Sequence, residues 1–210
     1  MYYVPGDMNK PEQLATRGRP REFCVHDALA KALRVFWSKG YEGASLSDLT
    51  DAMGITRPSL YAAFGNKESL FRKTLDLYER EKLDYVGKAL AQPTARAVAE
   101  AMLSSAVEAM TSDCDPHGCM RVIASATCGD EAQSVRAELE ARGNVIRQTI
   151  VDRFERAKAE GDLPANIDVE GITDLLKALL QGISLQAANG ASREELERLV
   201  KTGLQLWPSA

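Results

Sequence analysis

Histidine is nearly missing from this chain: only His26 and His117 occur in 210 residues. The imidazole that serves most acid-base sites and many zinc sites is therefore scarce, and neither copy sits in an H-E-x-x-H setting. No Ser/His/Asp set and no glycine-rich phosphate loop can be assembled from the motifs present. The paired acids Glu138 and Glu140 lie among arginines, as on a solvated helix face. These absences predict a protein that is not an enzyme and that needs no cofactor. No apolar run reaches the length of a membrane span, and no basic segment followed by an apolar core opens the chain, which predicts a cytoplasmic protein without membrane contact. Cysteine is also sparse, at Cys24, Cys114, Cys119 and Cys128. Cys114, His117 and Cys119 fall within six residues, yet the spacing fits no standard zinc pattern, so no metal is expected. Reduced thiols packed in a core are the simpler reading, and a cysteine-based redox switch is the alternative. Period-two alternation, internal repeats and low-complexity tracts are absent as well.

What is present is helical periodicity. Ser45 to Phe64, SLSDLTDAMGITRPSLYAAF, reads as two short helices joined at a turn. Ser45 is an N-cap with Asp48 three residues on, and Leu46, Leu49 and Met53 share a face. Gly54 stands where a helix C-terminus needs a positive φ, and Ile55 anchors the turn. Thr56 caps the second helix, Pro58 occupies its first turn, and Leu60 and Phe64 bury one side. The other side carries Arg57, Ser59 and Tyr61, suited to phosphates and base edges. A helical hairpin in a bundle is the plainer alternative; the neighbours favour a helix-turn-helix. Asp27 to Lys39 forms a helix upstream, stopped at Gly40, and Gly65-Asn66-Lys67-Glu68 opens a long helix downstream through Leu70, Phe71, Leu75 and Tyr78. Lys67 opposes the dipole of that helix, so either a phosphate lies beside it or it is simply solvated.

From Phe23 to Tyr78 the chain resembles the DNA-binding domain of the TetR/AcrR family of bacterial repressors. The resemblance rests on ALRVFWSKGYEG (Ala32 to Gly43), Ser45 to Leu49, Gly54 to Tyr61, and Phe64 to Phe71. It implies roles in DNA contact for Ser45, Tyr61 and Lys67. Ahead of this block, Arg17, Arg19 and Arg21 alternate with Gly18 and Pro20; beside a helix-turn-helix they read as an extended arm for the minor groove, and otherwise as a solvated basic tail. Residues 1 to 80 hold 12 Lys/Arg against 10 Asp/Glu, a net of +2, whereas the rest holds 14 against 20, a net of −6. Attraction to DNA must then be local, in the arm and the recognition helix.

The remaining residues are long enough for a second core. Helices are expected over Thr94 to Ser112, Cys119 to Cys128, Glu131 to Lys158, Val169 to Ala188 and Ser192 to about Leu206, with Asp113 to Gly118 and Gly161 to Ile167 as breaks. The expected architecture is all-α, about nine helices, divided into an arm (1–21), a helix-turn-helix domain (22–82) and a helical effector-binding and dimerisation domain (83–210). In the penultimate helix Leu175, Leu176, Leu179, Leu180, Ile183 and Leu185 cover more than one face. Leu196, Leu199 and Val200 follow in the last. Such a pair is either a buried internal core or, as the family resemblance implies, half of a four-helix homodimer interface. The resemblance also implies a small-molecule pocket in the C-terminal domain and release of double-stranded operator DNA when an unknown effector binds. Met102, Met110 and Met120 are candidates for its adaptable lining, with ordinary core packing as the alternative.

Overall fold

A computed structural model describes residues 23–129 and 132–208. Among them are ten helices and no strand: α1 (Val25–Gly43), α2 (Leu46–Met53), α3 (Arg57–Phe64), α4 (Lys67–Lys82), α5 (Asp84–Leu90), α6 (Ala95–Met110), α7 (Met120–Thr127), α8 (Gln133–Ala159), α9 (Val169–Ala188) and α10 (Arg193–Gln205). Caps set most of the boundaries. Thr94, Asp168 and Ser192 each accept from the backbone N–H three residues on, satisfying donors that a helix start leaves free. In α1 the helical angles break at Gly40, and the chain then adds a last turn to Gly43.

The tenth helix arises because the long helix after Lys67 is broken. Leu83 takes φ −107° and ψ 11°, which ends α4, and α5 departs in a new direction. No glycine or proline marks that joint, so the apolar periodicity runs through it unbroken. The bend is stabilised by packing, since Leu83, Tyr85 and Val86 turn toward α6 to α9.

One apolar core runs through both halves of the molecule. Phe36 of α1 and Phe71 of α4 are fully covered and meet edge to face at 5.1 Å, and Trp37 meets Tyr78 at 4.9 Å. Burying side chains of this size contributes about 1.5–3 kcal/mol each. The segment between α6 and α7, which the sequence marks only as a break, is where α1, α4 and α9 converge. Trp37 Nε1 donates to the Gly118 carbonyl at 3.0 Å, and the Cys119 N–H donates to Ser184 Oγ at 2.8 Å. Arg34 donates to the Cys114 carbonyl, and Lys82 pairs with Asp115. The helix-turn-helix is thus fastened to the C-terminal half by one buried hydrogen bond, from Trp37, and by the more exposed contacts of Arg34 and Lys82.

Candidate nucleic-acid interface and ligand cavity

At the start of α2, Ser45 and Asp48 exchange bonds as the sequence predicts: Asp48 N–H donates to Ser45 Oγ (3.0 Å) and Ser45 N–H to Asp48 Oδ2 (2.9 Å). Lys39 adds a 2.6 Å bond to the same carboxylate. The Lys39 ammonium, followed by Ser45, holds the Asp48 carboxyl well below the usual carboxylate range. A depressed acid stabilises the fold above its ordinary value, near 3.8, and that contribution fades as pH falls toward the lower folded value. Ser45→Ala is expected to cost about 1 kcal/mol in urea unfolding at neutral pH, and the difference from the parent should shrink on acidification below pH 4.

Gly54 closes α2 at φ 70°, ψ 31°, donating to the Thr50 and Asp51 carbonyls. This left-handed residue lets the chain reverse within two residues, so that α3 starts at once. Thr56 Oγ1 accepts from Ser59 N–H at the cap of α3, and Pro58 lies in its first turn. Leu60 and Phe64 are buried, which fixes the outward side. Thr56 and Arg57 are exposed there, Ser59 is half-buried, and Tyr61 stands 49% exposed. Arg57 is steadied by a 2.8 Å bond to Ser47 Oγ of α2. Lys67 is not simply solvated, one of the two settings expected for it. It is half-buried, with Nζ 4.5 Å from the centre of the Tyr41 ring, and burial lowers its ammonium's pKa. Tyr41 therefore belongs to this surface, although its spacing gave no sign of it. Arg17, Arg19 and Arg21 lie outside the described residues.

In the C-terminal half a cavity of about 430 Å³ opens among α5 to α9. That is within the range typical of small-molecule sites. Leu83, Val86, Val122 and Leu180 supply apolar wall, with Tyr85, Cys119, Arg121 and Lys177 as polar or charged groups. Of the three candidate methionines only Met110 borders it. Met102 and Met120 point into the core and are essentially fully covered, so for them the ordinary core reading replaces a lining role. Sequence spacing gave no hint of Tyr85 or Arg121, because five separate helices bring this lining together.

Four of the leucines and their neighbours assigned to the dimer face are also relocated. Leu176, Ile183 and Leu196 are fully covered within a single chain and Val200 nearly so, because α6 packs across that side of α9 and α10. The face left open holds Leu175 (46% exposed), Leu179, Leu185 and Leu199. Among the cysteines, Cys24 and Cys114 are exposed while Cys119 and Cys128 are buried, and none is in a disulfide. Burial, then Glu42, pushes the Cys128 thiol up. No cluster of three metal-ligating side chains occurs among the described residues, and no helix there is long and apolar enough to cross a membrane.

Residues 28–74 match the bacterial regulatory proteins of the tetR family, and residues 96–202 match the tetracyclin repressor-like C-terminal domain. The chain belongs to the TetR family. The HTH-type transcriptional repressor ComR of Escherichia coli (strain K12) is 34% identical over 195 residues, spanning 92% of this chain and 93% of ComR. The repressor BdcR from the same organism is 27% identical over 88% of this chain and 89% of its own length. A solved structure of the TetR family regulator CifR, a cysteine mutant complexed with 26bp double-strand operator DNA, is 41% identical, with a TM-score of 0.85 over 90% of this chain and all of that one. This TetR-family chain is a DNA-binding transcriptional repressor, and the family and its named relatives are regulators and not enzymes.

Proposed function

We propose that the protein is a homodimeric, cytoplasmic one-component repressor that reads its operator with α3 and lets go when a small molecule fills the cavity among α5 to α9. The reading rests on one observation: the cavity wall includes Leu83, at the joint between α4 and α5, and Cys119, whose sulfur accepts the Tyr78 hydroxyl of α4 at 3.3 Å. α4 carries α3 through their shared core, so an occupant that shifts this joint shifts the reading helix. A ligand acts only through its different affinity for the two states, commonly about 1–3 kcal/mol of coupling. Arg57, Ser59, Tyr61, Thr56 and Ser45 supply the groove-facing contacts, Lys67 with its Tyr41 support a phosphate contact, and Arg17, Arg19 and Arg21 a minor-groove arm. The division at 22–82 and 83–210 then falls on the Leu83 bend. Leu175, Leu179 and Leu199, with Leu185, form the surface for a second copy. The cysteine-switch alternative has less support at Cys128, where burial disfavours the thiolate.

A gel shift with DNA from upstream of the protein's own gene tests the reading. A complex displaced by unlabelled upstream DNA but resistant to scrambled competitor is expected, and equal loss to both competitors would refute sequence-specific binding. Deleting residues 1–21 should weaken the complex and lower the salt slope by up to about 3, one for each arginine on a phosphate. An unchanged slope removes the arm from the interface.

A further inference from the structure

We infer that the cavity takes an organic anion, a carboxylate-bearing molecule with an apolar body, whose head group is held by the Arg121 guanidinium and the Tyr85 hydroxyl. The inference rests on the effector reading above and gives the ligand its chemical class.

Arg121 carries the argument. Its side chain is only 13% exposed, and it borders the cavity from the first turn of α7. Its one charged neighbour is Glu79, with Nη1 3.5 Å from Oε1, but the contact lacks hydrogen-bond geometry: that oxygen is buried without a bonded partner. The other Glu79 oxygen is already taken by Arg142 at 2.7 Å. None of the Arg121 N–H groups makes a hydrogen bond among the described residues. A largely covered guanidinium whose pairing with Glu79 lacks a hydrogen bond keeps its donors available, and a planar oxyanion matches its fork. Gly143 stands beside it, where even a Cβ would lie 3.6 Å from Nη2, so this position places no side chain against the fork.

Tyr85 is the second donor. The residue borders the same cavity, and its hydroxyl has no hydrogen bond among the described residues. Burial pushes the phenol well above its ordinary value, with Cys119 adding to the rise and Arg121 opposing it. It stays protonated, a donor lying within the field of the guanidinium.

The other charges agree. Arg147 is committed to Asp174 and Glu170. Among the described residues Lys177, also on the wall, makes no ion pair, and Glu140 is the one carboxylate there. Arg121, whose pairing with Glu79 leaves its donors without a hydrogen bond, and Lys177 stand against one exposed acid on the wall, a balance that favours a negative ligand. Around this head the apolar wall of Val86, Val122, Ile146, Ile150 and Leu180 suits a hydrocarbon or aromatic body.

The test uses three probes of one shape, 4-phenylbutyrate, 4-phenylbutanamide and 4-phenylbutylamine, titrated calorimetrically into the full chain and added in parallel to the operator gel shift. The carboxylate should bind at least about tenfold tighter than the amide and tighter still than the amine. Arg121→Met should abolish the preference. Tyr85→Phe, which removes one hydroxyl and keeps the ring, should weaken the carboxylate several-fold and leave the amine unchanged. Equal or better binding of the amine, a preference that survives Arg121→Met in a folded variant, or no heat from any probe overturns the inference. The two readings fail separately: carboxylate-selective binding without operator release upholds the ligand class and removes the effector role, whereas release by the amide or amine alone does the reverse.

Discussion

Gly118→Ala is expected to destabilise the protein by about 3–5 kcal/mol. Gly118 sits at φ 83°, where a side chain is strained. Its Cβ would stand 2.7 Å from the Ser184 carbonyl oxygen and 3.1 Å from both Ala188 Cβ and Ile123 Cδ1. The first of these is backbone near the end of α9 and cannot rotate away, so the segment itself must move. Movement there also disturbs the Trp37 bond to the Gly118 carbonyl and the Cys119 bond to Ser184. For a chain of this length the loss corresponds to a fall in Tm of roughly 10 °C or more. Gly54→Ala is the internal control. It has the same sign of φ with nothing within 4 Å of the added Cβ, so it should lose only about 1 kcal/mol of backbone strain. Calorimetric unfolding of the two variants decides the matter; a Gly118→Ala loss no greater than that of Gly54→Ala would show that the junction yields freely.

Tyr61→Ala and Arg57→Ala should each cripple operator binding while leaving the fold intact. Tyr61 is half exposed on the outward side of α3, so its removal takes little from the core. The Arg57 bond to Ser47 is exposed, and bonds of that kind contribute little to stability. Each lost contact to a phosphate or base edge costs ~1–3 kcal/mol, and a dimer loses it twice, giving ~2–6 kcal/mol per operator. Binding isotherms at one fixed salt concentration, set beside unfolding curves, measure both quantities. Wild-type affinity in both variants would mean that α3 presents another set of residues to the groove.

Local signals made the reading head legible. Ser45, Gly54, Thr56, Pro58 and Asn66 act on the backbone within three or four residues of themselves, and the structure shows caps and turns at those positions. Burial of Leu60 and Phe64 follows from their spacing, which also sets Tyr61 outward. The Leu83 bend was not legible, because its cause is packing by α6 to α9 and no glycine or proline announces it. Lys67 shows the same limit at a single residue: position on the helix predicts its dipole environment, but the ring beneath it comes from Tyr41, 26 residues upstream.

The chain order of caps, turns and apolar stripes determined that this protein is all helix with a helix-turn-helix near its start, because those interactions reach no further than one helical turn. Which leucines of α9 and α10 stay open, where α4 ends, and how Tyr85, Cys119 and Arg121 come to border one cavity were decided only in three dimensions. Periodicity tells which side of a helix is apolar and cannot tell what covers it; in α9, α6 buries Ile183 and leaves Leu175 for something else.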